Sequence, residues 1–404
     1  MERLFYGIAS LFFILSVDSL DERICSPIHS TATEWYLDCS NRNLSALPKF
    51  ADHPVVNLVL RNNSFDSSIA LGDWKSLKYV DLSWNDLIDI ENHTFAGIDE
   101  LEKLNVSYCS LQRITSQHLR GRTLIKLLDL SGNPLLPRSK DFLAVVNGSL
   151  DRGTHSIHLS RMQLRDFEIP PDLFFNAKHL SYLDLSDNIL VELPRFPPSL
   201  SVLDISDNFF TILKKGPFQN STGLTYLIAH DNKELVEIDE DAFRHMENLF
   251  KISLAGNKKL EFIPNDVFFH NHNLRHVSLV GCNFKTLSPY LEPQFLRLQI
   301  LELQGNPWKC DQSMRWLAGL NSTTKGLSHV RCADGTLFEE FFTVTKWNMW
   351  VILINLLVGM VFLFFVIGFW FVYDLEKRRK QANPYWRLGK GASTLTPVYV
   401  STVV

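Results

Sequence analysis

The sequence predicts an α/β solenoid: stacked repeats bent around a parallel concave sheet, followed by one transmembrane helix and a short disordered tail. Three observations carry this. An apolar pattern recurs about every 24 residues, a run of 27 residues from Trp347 to Tyr373 holds no charge, and N-x-S/T triplets are confined to the chain before that run. With 46% apolar residues, disorder as the main state is excluded. The 40 basic and 44 acidic side chains give −4; residues 374–404 hold six basic and two acidic groups, or +4, so the preceding chain carries −8. That balance offers no basic field for nucleic acid, and an acidic front with a basic tail suggests a membrane between them.

In chain order, residues 1–19 read as a signal peptide: Leu4 to Val17 is apolar apart from Ser10 and Ser16, Arg3 precedes it, and Ser19 ends a small-residue cleavage site. Eleven units of the form LxxLxLxxN, together residues 55–305, begin at Val55, Leu77, Leu101, Ile125, Thr154, Leu180, Leu200, Leu224, Leu249, Leu274 and Leu298, spaced by 20 to 29 residues. Each unit supplies one short strand whose Leu-type positions are buried only if a neighbour stacks on it. The terminal Asn of the units (Asn63, Asn85, Asn133, Asn188, Asn208, Asn232, Asn257, Asn306) is expected at a buried turn, satisfying backbone groups, and Cys109 and Cys282 take the same slot as buried thiols. Phe95, Phe174, Phe218, Phe243 and Phe268 each stand six residues before the Leu of a unit, which predicts a stacked aromatic spine on the convex side. The Thr154 unit fits least: Met162 replaces the Asn, and the insert SKDFLAVVNGSLDRG before it is expected to be an irregular, glycosylated excursion.

The segments LKYVDLSWN, LSYLDLSDN and LQILELQGN closely resemble the leucine-rich repeat family, over about residues 25–332. CSPIHSTATEWYLDCSNRNLSALP resembles the N-terminal cysteine cap of extracellular members, placed in residues 20–54, and NPWKCDQSMRWL with Cys332 resembles their C-terminal cap, placed with a stalk in residues 306–346. The resemblance implies two disulfides, Cys25 with Cys39 and Cys310 with Cys332. The second cap is reduced, because Gln312 stands where the family has the second cysteine of CxC and no fourth cysteine follows.

The uncharged run 347–373 exceeds the roughly 20 residues that cross a bilayer core, with Trp347 and Trp350 at one end and Trp370 and Tyr373 at the other. Lys377, Arg378, Arg379 and Lys380 follow, which predicts a type I plasma-membrane protein with its N-terminus outside and residues 374–404 in the cytoplasm. Seven sequons, at Asn43, Asn62, Asn92, Asn105, Asn147, Asn220 and Asn321, agree with that orientation.

No catalytic signature occurs, and no cofactor or metal is expected. His270, His272 and His276 read as solvated histidines rather than a metal site, and Asp81, Asp129, Asp184 and Asp204 share one outward strand position, as the repeated L-D-L-S motif requires. The functional expectation is a cell-surface recognition or adhesion receptor for a protein ligand. The alternatives are an accessory innate-immune subunit that binds microbial lipid or glycan and a purely structural surface protein. A glycan at Asn105 would cover the N-terminal half of the hollow, leaving Tyr182, Tyr226, His230, Lys251, Arg275, His276 and Glu302 as the ligand face. Asn355 with Gly359 one turn later offers a weak homodimer contact within the bilayer. In the tail, Tyr385 and Leu388 resemble a Tyr-x-x-Φ sorting signal, and Thr402 with terminal Val404 resembles a PDZ-domain ligand, implying a scaffold partner.

Overall fold

A computed structural model describes residues 25–30, 34–48, 54–91, 93–114, 125–320 and 324–382. The chain divides into two units, at Phe338/Glu339. In the first, a 13-stranded sheet begins with Ser26–Ser30, antiparallel to Trp35–Asp38, and continues as parallel rungs. Those rungs are Val55–Val59, Tyr79–Asp81, Lys103–Asn105, Leu127–Asp129, Ser156–His158, Tyr182–Asp184, Val202–Asp204, Tyr226–Ile228, Lys251–Ser253, His276–Ser278 and Ile300–Glu302.

Strand neighbours pair without slippage from Asn57 to Ile300, so equivalent residues form straight columns. The middle residue of every three-residue rung points inward: Val80, Leu104, Leu128, Ile157, Leu183, Leu203, Leu227, Ile252, Val277 and Leu301 are all fully buried. Each such burial stabilises by about 1.5–3 kcal/mol, and register is fixed because a one-residue slip would expose the whole column.

An asparagine ladder closes eight of the eleven rungs. Asn133 donates from Nδ2 to the carbonyls of Val106 (2.9 Å) and Leu130 (2.8 Å), while its Oδ1 accepts from the amides of Cys109 (3.1 Å) and Leu111 (2.9 Å). Cys109 and Cys282 keep only the donor half, each thiol 3.0 Å from a carbonyl, of Leu82 and Leu254. Burial pushes both thiols up to about 12. Met162, fully buried, has no donor at this place, and its backbone amide donates to Asn188 Oδ1 as the Cys109 amide donates to Asn133 Oδ1.

Phe95, Phe174, Phe218, Phe243 and Phe268 are all buried. The aromatic row runs Phe196, Phe218, Phe243, Phe268, Phe295, Trp316, with ring centroids 5.6 to 6.4 Å apart and pairs both stacked and tilted. Phe196 and Phe295 enter it although they lie closer than six residues to the Leu of their units.

The insert before the Thr154 unit corrects the expectation of an irregular excursion. It forms a ten-residue α-helix, Phe142–Asp151, which buries Phe142, Val145, Val146 and Leu150 and leaves Asn147 exposed. Those apolar positions fall at i, i+3, i+4 and i+8, one face of a helix.

Disulfides join Cys25 to Cys39 and Cys310 to Cys332. At the C-terminal end, Trp308 is fully buried, donates its indole N–H to the Leu303 carbonyl (2.8 Å), stacks on Phe284 and meets the edge of Phe338. The last element, Phe338–Ala382, is a 45-residue helix, longer at both ends than the uncharged run 347–373. Its segment Trp350–Gln381 is long and apolar enough to cross a membrane.

Candidate recognition surface

Three-residue rungs direct two side chains each to the concave side, though Asp81 and Ser278 there are buried. One column reads Asn57, Tyr79, Lys103, Leu127, Ser156, Tyr182, Val202, Tyr226, Lys251, His276, Ile300, and the other Val59, Asp81, Asn105, Asp129, His158, Asp184, Asp204, Ile228, Ser253, Ser278, Glu302. The four aspartates occupy one column, but half of each carboxylate is already in use. Oδ1 of Asp81, Asp129, Asp184 and Asp204 accepts the amide of the serine two residues on, at 2.9 to 3.0 Å. The L-D-L-S motif is therefore a turn brace. Burial raises Asp204 above the ordinary carboxylate range against those hydrogen bonds.

Asn105 belongs to the same brace, its Oδ1 accepting from the amide (3.0 Å) and hydroxyl (2.7 Å) of Ser107. It lines a hollow of about 600 Å³ in the N-terminal half of the concave face, with Tyr36, Tyr79, Lys103, Asp129 and His158.

The expected ligand-face residues divide between the two concave columns and the strand ends. Tyr182, Tyr226, Lys251 and His276 share a column. Tyr182 stacks on His158 at 4.7 Å, and burial with the Asp184 and Asp204 charges pushes its hydroxyl up to about 12. Tyr226 is 39% exposed and meets Phe250, 38% exposed, edge to face at 6.1 Å. Phe250 escaped the sequence reading because it precedes its strand, outside the alternating positions. His276 Nε2 lies 3.1 Å from Glu302, which holds that carboxyl below its usual range although burial alone would raise it. Arg275 instead folds back onto the carbonyls of His272 and Leu274, both at 2.8 Å. His230 sits past the strand end, 3.0 Å from Asp231.

The three histidines of FHNHNLRH separate: His276 joins Glu302, and His272 Nδ1 lies 2.7 Å from an Arg297 guanidinium nitrogen. A different trio, Asp207, His230 and Asp231, brings one potential ligand atom each within 4.8 Å on the rim. Exposed acidic groups commonly gather so without a metal ion.

The rim has its own column. The residue before each ladder position carries a positive φ: Asn62, Trp84, Tyr108, Gly132, Arg161, Asp187, Asp207, Asp231, Gly256, Gly281 and Gly305. Residues 1–19, Asn92, Asn321, Tyr385, Leu388, Thr402 and Val404 lie outside the described residues.

Comparison with known proteins assigns the repeats. A leucine rich repeat family model matches residues 75–135, 198–258 and 222–284, so the solenoid is built of leucine-rich repeats. Similar curated proteins are podocan of Mus musculus (30% identical over 195 residues, 43% of this chain and 31% of that protein) and Tsukushi of Gallus gallus (35% over 161 residues, 38% and 40%). The oligodendrocyte-myelin glycoprotein of Homo sapiens is 28% identical over 235 residues, 57% of this chain and 45% of that protein. The chain spans less than half the length of these relatives. A chain in the octameric complex of Latrophilin 3, Unc5D and FLRT2 (LRR) matches at 20% identity and a TM-score of 0.48, over 76% of this chain and 92% of that one.

Proposed function

We propose that this chain is a membrane-anchored recognition or adhesion receptor that holds a protein ligand on the C-terminal half of its concave face. The observation that carries this is the exposed Tyr226–Phe250 pair beside Lys251, on rungs whose inward residues are already fully buried. Aromatic anchors rimmed by charge concentrate binding energy at protein interfaces. The hollow around Asn105 sets the charges of Lys78, Lys103, Glu102 and Asp129 among Tyr36, Tyr79, Val56 and Leu127. A glycan on Asn105 would fill that hollow and leave the C-terminal rungs open.

The solenoid lies outside the cell, the Phe338–Ala382 helix crosses the membrane, and the tail docks a PDZ scaffold through Thr402 and Val404. Cells displaying the full chain, screened against an array of secreted and surface ectodomains, test the reading. A captured ligand should lose at least about 10-fold in affinity on Tyr226→Ala with Phe250→Ala. Unchanged affinity would move the site off this face. For the tail, Val404→Ala and a C-terminal amide should each abolish PDZ binding by the last ten residues.

A further inference from the structure

The rim column holds a contradiction that the fold alone does not require. Four of its positions are glycine, and Asn or Asp fills others; these residues accept the left-handed conformation at little cost. Trp84 (φ 60°) and Tyr108 (φ 54°) adopt it as bulky aromatics, where such backbone is uncommon. Strain of this kind points to a use for the side chain.

The surroundings are built to hold the rings. Trp84 and Tyr108 stack at 4.5 Å with 13° between planes, close to the rung spacing of about 4.8 Å, so the stack runs along the column. Beyond Tyr108 comes Gly132, where a Cβ would lie 2.4 Å from the Tyr108 ring. Arg161, next in the column, pairs with Asp187 at 2.6 Å. One face of Trp84 is thereby covered by Tyr108. The other looks back along the column, and Trp84 remains 47% exposed.

The preceding place in the column is Asn62, which begins the sequon Asn62-Asn63-Ser64. Asn62 donates its backbone amide to Ser83 (2.9 Å) as Trp84 does to Ser107 (3.0 Å), so the two stand on consecutive rungs in the same backbone conformation. The Asn62 side chain is exposed, and its Nδ2 donates to Asn41 Oδ1 at 2.6 Å. A glycosylated Asn nitrogen keeps one hydrogen, enough for that bond.

We propose that the open face of Trp84 seats the first sugar of an N-linked glycan carried by Asn62 of the same chain. The pyranose presents its C–H face to the electron-rich indole face, with the Tyr108 ring stacked beneath and Gly132 leaving room for that ring. Attachment is the general reaction of the secretory route: the sugar's anomeric carbon leaves the pyrophosphate oxygen of a lipid-linked donor and bonds to Nδ2, which loses one proton. The inference rests on the solenoid lying outside the cell.

The test uses the full chain, expressed in secretory cells and solubilised in mild detergent. An amidase that cleaves the glycan–Asn bond, converting Asn to Asp, is applied to the native protein, and mass spectrometry reads conversion at each sequon. Trp84→Gly is the informative variant, because glycine already serves at four places in this column. Conversion at Asn62 should be at least severalfold faster in Trp84→Gly than in the native chain, with Asn43 and Asn220 unchanged. Equal rates at Asn62, or Asn62 bare while Asn43 and Asn220 are modified, overturn the seat alone. Every sequon bare would overturn the extracellular placement and the seat together.

Discussion

In eight rungs a single side-chain amide ties neighbouring turns together. Asn133 makes five hydrogen bonds from a fully buried position, so Asn133→Ala leaves two amides and three carbonyls without their side-chain partner. The expected cost is about 2–4 kcal/mol, measured by denaturant titration. Cys109 and Cys282 should resist alkylation at neutral pH until the chain unfolds, because burial holds their thiols near 12. Pulse labelling across a denaturant series checks this, and labelling of the native chain would contradict it. The ladder was legible because its position recurs in register with the leucines. The strained rim was not: the place before the Asn is unrestricted in LxxLxLxxN, so Trp84 and Tyr108 look ordinary until their dihedrals are known. The serine two residues after each Asp was visible, yet only the fold shows that it turns the acidic column into braces.

The Phe142–Asp151 helix shows where local signals mislead. Its apolar spacing was present, but Asn147-Gly148 in the middle reads as a turn. Burial of Phe142, Val145, Val146 and Leu150 against the solenoid overrides that propensity. A Cβ at Gly148 would meet nothing within 4 Å. Gly148→Ala should therefore stabilise by about 0.5–1 kcal/mol while keeping the sequon, and Phe142→Ala should destabilise by about 3 kcal/mol, both read from thermal unfolding. The aromatic row was half legible for a similar reason. A fixed offset found Phe218, Phe243 and Phe268, whereas Phe196 and Phe295 reach the row through shorter convex segments.

Across the whole molecule, acid should act first where carboxylates depend on partners. Glu302 titrates below its ordinary 4.5 in the folded chain, so its contribution is complete above that value and fades as pH falls through the lower, folded one. Asp204 is shifted the other way, so its ionisation opposes folding and its protonation on acidification gives some stability back. Glu302→Gln should accordingly flatten the decline of the unfolding midpoint below about pH 5, and Asp204→Asn should steepen it. A pH series of thermal melts on both variants reads the two slopes, and parallel curves would refute the assignment.

The two disulfides close short local loops, 14 and 22 residues apart in sequence, and among the described residues none joins one interior rung to another. Force applied between the two ends of the solenoid would pull across the strands, where parallel rungs separate one ladder at a time. Each released repeat of about 24 residues would pay out about 80 Å of chain. The molecule would then yield as a staircase of similar steps, a shock absorber whose bolted ends hold while the interior lengthens. Optical-trap extension of the full chain should show those steps, and reduction of Cys310–Cys332 should let the staircase start from the C-terminal end of the solenoid.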